Sequence, residues 1–226
     1  MSTSTFTAAP TTKGTGALLT CGLVAGPLFT TVALAQVLTR DGFDLATHPL
    51  SLLSLGDLGW VQISSFVATG VLSVAFAAGM RRALPSGRSG AWASRLYAGF
   101  GLGMVAGGVF VTDPALGFPP GVPSADGPAS WHSLVHDVAA GVALDFALVA
   151  CLVVARVFRR ERQTGWAIYS AVTAVVGFAL SWWPDQDGIS VRLAVVVVLV
   201  LAWATALGAR LRAARADAPD ADPSRQ

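Results

Sequence analysis

The stretch LAVVVVLVLAWATALGA, residues 193–209, carries no charged side chain. Apolar and polar residues do not alternate along it, as they would in a barrel strand. In lipid, only helices and closed barrels satisfy their own backbone hydrogen bonds. A uniform apolar run of this length therefore predicts a helix that crosses a bilayer.

The rest of the chain follows the same pattern. Of 226 residues, 54% are hydrophobic and 12% are charged, and the mean hydropathy is +0.62. A soluble domain carries about 25% charged residues, and one small core has no room for so much apolar surface. Further runs predict six membrane helices at 16–38, 60–80, 91–112, 131–155, 166–183 and 189–209. The expected fold is all-α, a bundle of six transmembrane helices over residues 16–210. The tails at 1–15 and 211–226 are polar and rich in small residues, so disorder is expected there.

Cationic residues give the direction of the spans. Arg81, Arg82, Arg88 and Arg95 fall between the second and third spans, and Arg156, Arg159, Arg160 and Arg162 between the fourth and fifth. Arg210, Arg212 and Arg215 follow the sixth, and Lys13 precedes the first; the opposite side holds Arg40 and Arg192. Both termini are thus expected in the cytoplasm, with loops 39–59, 113–130 and 184–188 facing outward. Tryptophans at 60, 131, 182 and 183 mark the outer interface, and those at 92, 166 and 203 the inner one. Ala33-Leu34-Ala35 also resembles a signal-peptide cleavage site, and cleavage there would leave five spans. The single preceding lysine and the long apolar run favour a retained span.

Gly99, Gly103 and Gly107 repeat every four residues, which lets helix backbones approach closely in lipid. A phosphate-binding glycine loop is excluded, because no strand precedes them. Gln62, Ser65, Thr69 and Ser73 form a polar stripe on the second span, expected to face the interior and bond to neighbouring helices. The other reading of that stripe is the wall of a polar cavity opening outward. Asp145, mid-way along the fourth span, should face inward, pair or be protonated. Cys21 and Cys151 lie in apolar runs and behave as small buried residues. No nucleic-acid motif surrounds the arginines.

The chain has three histidines, all on the predicted outer side. His48 lies in ATHPLSLLSLGDLGW, a segment expected to form a short amphipathic or re-entrant helix, with Thr47 as its cap, Pro49 in its first turn and Gly56 as its stop. His132 and His136 open the fourth span in WHSLVHD, one helical turn apart, so their rings can converge. Asp113 closes the third span, ahead of Pro114. Three histidines and a carboxylate make a donor set for catalytic zinc with an open position. On that reading His48, His132 and His136 bind the metal, Asp113 is a ligand or general base, and Ser51 positions water or substrate. Ser133 stands where a zincin would carry its glutamate, so a zincin is excluded.

The segments THPLSLLSLGDLGWVQ, FVTDPALGFPPG and SWHSLVH resemble a family of prokaryotic membrane proteins known as domain of unknown function 998. The resemblance covers most of the chain. In that pattern glycine often follows the first histidine of the pair; here it is Ser133. The family name implies a membrane fold and no activity. The donor set is also similar to that of zinc-dependent membrane hydrolases of the ceramidase and adiponectin-receptor type, which have seven spans, so the likeness is one of site. The sequence thus supports two functions. One is a metal-assisted hydrolase or lipid-modifying enzyme at the outer leaflet. The other is a non-enzymatic module that binds lipid headgroups or small molecules, senses pH, or is purely structural.

Overall fold

The computed structural model describes residues 14–124 and 127–216. It is an all-helical bundle of α1 (Thr15–Thr39), α2 (Gly59–Ala83), α3 (Arg88–Val109), α4 (Trp131–Arg160), α5 (Thr164–Ser181) and α6 (Ile189–Ala216), with a 3-10 turn at Leu50–Ser54. All but α3 are long and apolar enough to cross a membrane. Glycines, Ser94 and Arg95 dilute the hydrophobicity of α3. The six expected segments overlap the six helices, although α3 ends at Val109, α4 continues to Arg160, and α6 continues to Ala216, past the expected start of the tail at 211. The expectations for 1–13 and 217–226 lie outside the described residues.

Each helix packs on the next, and α6 closes onto α1, so the bundle is a ring. The tightest seams are α2 with α3 and α3 with α4, and the loosest is α5 with α6. Inside the ring, Tyr97 packs its ring against Phe76, Phe100 and Trp203. Trp203 donates its indole N–H to Ser170 Oγ at 3.0 Å. Outside it, Leu34, Leu38, Val71, Leu102, Val138 and Val175 are each more than half exposed. Such an apolar exterior suits a lipid bilayer, since soluble monomers rarely expose contiguous patches of this kind.

The glycine spacing on α3 does what it predicts. Gly99 lies under Phe146, Gly103 under Ala143 and the Ala139 carbonyl, and Gly107 beside the His136 ring. A second set escapes the four-residue pattern. Gly101 meets Gly70 backbone to backbone, and Gly108 meets the Ile63 carbonyl. Helix α3 therefore approaches both neighbours closely, which explains why its two seams are the tightest. Asp145 is half-buried and accepts a hydrogen bond from the Trp182 indole at 3.1 Å, a partner that no local spacing reveals.

Candidate functional site

One end of the bundle carries the three longer connections, and they interlock. Asp44 organises the first, accepting from the Ala46 N–H and the Thr47 hydroxyl. Thr47 thus serves this turn instead of capping the next element. The expected short helix is the 3-10 turn Leu50–Ser54, preceded by Pro49, with Leu52, Leu53 and Ser54 buried. Gly56 ends it with φ +71°, as a stop requires. Arg40 holds it from beside, donating to the Leu53 and Leu55 carbonyls at 3.1 and 2.6 Å. Ser190 on α6 donates to the Thr47 carbonyl. Arg192 closes the 182–188 connection onto the Asp185 and Asp187 carbonyls.

His48 is buried between Phe43 and Phe118, with ring centroids 5.4 and 5.5 Å away. The Asp44 N–H donates to its Nδ1 at 2.9 Å. That makes Nδ1 the acceptor, so the proton sits on Nε2, which donates to the Leu116 carbonyl at 3.1 Å. Both nitrogens are in use, and together they tie the first connection to the second. Ser51 is half-buried in the 3-10 turn, and neither nitrogen of His48 bonds to it.

The other two histidines hold the end of α3. A helix leaves its last four carbonyls without intrahelical partners. His136, which is buried, donates from Nδ1 to the Gly107 and Phe110 carbonyls at 2.9 and 2.8 Å. His132 donates from Nδ1 to the Val111 carbonyl at 2.8 Å, with Ser130 Oγ at 3.1 Å. Asp113 accepts from both the N–H and the hydroxyl of Ser130, each at 2.7 Å. Ser130 in turn caps α4 by accepting from the Ser133 N–H. Ser133 Oγ accepts from the Asp113 N–H at 3.2 Å. So Asp113 and the histidine pair do meet, around main chain. Among the described residues, no three His, Cys, Asp or Glu side chains come together in a group fit to hold a metal ion. The i, i+4 spacing points both rings toward the end of α3, where they meet the Gly107, Phe110 and Val111 carbonyls. The capping serine at 130 was legible as a Ser directly before a helical run.

The family model described as protein of unknown function (DUF998) matches residues 23–210. The chain belongs to that family. No curated protein and no solved structure matches it. The match runs from Leu23 within α1 to Arg210 within α6 and takes in the whole interlocked end of this DUF998 member.

The two bonds from Ser130, backbone first, hold the Asp113 carboxyl below the usual carboxylate range, and the nearby His132 adds to this. A depressed folded value stabilises the fold above the unfolded value of about 4 and is lost as pH falls through the folded value. Asp113→Asn should therefore unfold at lower temperature than wild type at pH 7. The gap should narrow as pH falls below about 4. Thermal unfolding in mild detergent from pH 7 to pH 3 measures this, and a gap that stays constant would contradict it.

Beneath the interlocked end runs the α2 stripe. Gln62, Ser65, Thr69 and Ser73 are all buried, as expected. The bonding expected of them is mostly missing. Gln62 accepts from Gln36 Nε2 on α1 at 2.7 Å. The Gln62 Nε2, the Gln36 Oε1 and the hydroxyls of Ser65 and Thr69 have no partner. Each buried group left unpaired costs about 1–3 kcal/mol.

Proposed function

We propose that this protein spans the bacterial plasma membrane six times, with both termini in the cytoplasm, and that its outer end acts by binding a lipid headgroup or small molecule rather than by metal-assisted hydrolysis. The count rests on α3. It is antiparallel to α2 through a short connection and packs along both α2 and α4, so it crosses with them. The direction rests on the arginines, which crowd the end opposite the interlocked loops.

His48 carries the choice against hydrolysis. Its acceptor nitrogen holds Asp44 and its donor nitrogen holds Leu116, so binding a metal would release one loop from the other. The histidines build the mouth and do not line it. The protein purified in mild detergent should carry no stoichiometric zinc, and a chelator should leave its unfolding temperature unchanged. About one zinc per chain, lost in both His132→Ala and His136→Ala, would restore the hydrolase reading. In a background lacking Cys21 and Cys151, Asp41→Cys should react with an impermeant maleimide from outside intact cells, and Arg88→Cys should not. Outside labelling at 88 would reverse the insertion and move the site to the cytoplasm.

A further inference from the structure

Hydroxyls in helices ordinarily donate to the carbonyl four residues back. This protein follows that habit at Thr20, Thr39, Ser94, Thr173 and Thr205, at 2.7–2.9 Å. Ser65 and Thr69 have the same carbonyls on offer and do not take them. Both are buried. Together with the free atoms of the Gln36–Gln62 pair, they present donors and acceptors along one face of α2. At the lower end Ser73 faces the Tyr97 hydroxyl. From Gln62 to Ser73 the file runs about 16 Å at 1.5 Å per residue.

Three features define what this file suits. It holds no Asp, Glu, Lys, Arg or His, so it offers no counter-charge to an ion. The same face continues as Phe76, Met80 and Ala83, all buried, so the polar part is blind at mid-bundle. Its upper end, at Gln36 and Gln62, lies beneath the interlocked loops. The partnerless atoms have almost no accessible surface, so the seam is closed as it stands.

We propose that the outer half of this α2 face is a binding seam for uncharged hydroxylic solutes, water or a small polyol, which enter from the loop end when the helices part. The seam lies between helices and does not depend on how the loops act. The test uses the full chain in lipid vesicles, without Cys21 and Cys151, comparing Thr69→Cys with Ala77→Cys in the apolar half. A neutral maleimide reacts with a hydrated thiol, so position 69 should react faster than 77 by about tenfold or more, the contrast between a segment that opens and one that stays shut. Erythritol that slows labelling at 69 identifies a polyol site, and labelling unaffected by erythritol identifies a water seam. Equal, slow labelling at 69 and 77 in folded protein overturns the proposal. Ser65→Cys supplies the same reading if Thr69→Cys does not fold. Thr69→Val gives an independent check. A rise in unfolding temperature together with slow labelling at 69 would mean a permanently dry seam, and would also overturn it.

Discussion

Gly70→Ala should lower the unfolding temperature of the detergent-solubilised protein by roughly 5–10 °C, from a loss of about 2–3 kcal/mol. A single methyl is enough because of what it would meet. A Cβ at Gly70 would sit 2.5 Å from the Gly101 carbonyl oxygen and 2.8 Å from the Val105 backbone nitrogen. Both are main-chain atoms of a helix, so no rotamer change relieves the contact. The α2–α3 seam would have to open along its length, and it is the tightest in the bundle. The control is Gly141→Ala on α4, where nothing lies within 4 Å of the added carbon. There alanine favours the helix by up to about 1 kcal/mol, so the temperature should hold or rise. Equal losses at 70 and 141 would mean that close backbone approach does not hold this bundle together.

That pair also shows what the chain discloses without coordinates. Six helices were legible because hydrophobicity sums over twenty residues, and isolated glycines and arginines do not erase the sum. The Gly99–Gly103–Gly107 face was legible because contact across two helices repeats every four residues. Gly70 and Gly101 were not, since neither belongs to a four-residue glycine repeat on its helix. The polar stripe on α2 was readable from its three- and four-residue steps, and so was its burial. Its lack of partners was not, because bonding depends on which residues α1 and α3 bring opposite.

The partners of the histidines were not legible for a different reason. Sequence reasoning counts side-chain donors and acceptors. It gives no weight to the carbonyls that every helix leaves unpaired at its C-terminus. The spacing of His132 and His136 fixes where the rings point, and Pro114 shortly after α3 fixes that its end lies nearby. Putting those two facts together would have predicted capping of α3 before it predicted a metal.

His136→Ala should cost about 2–4 kcal/mol of stability, and His132→Ala clearly less. Removing the His136 ring strips the donor from the Gly107 and Phe110 carbonyls at a residue only 3% exposed. Water cannot readily replace it there, and the lost ring leaves a gap against Phe66, which it meets edge-on at 6.3 Å. The side chain of His132 is 42% exposed, so solvent can take over the Val111 carbonyl. The asymmetry separates two explanations of one motif. If the pair chelated a metal, deleting either ligand would open the site, and the two losses would be alike and absent in chelator. If the pair caps α3, the losses differ by burial and persist in chelator. Thermal unfolding of both variants, with and without chelator, decides between them. Comparable losses that vanish in chelator would mean that WHSLVHD is a ligand motif after all.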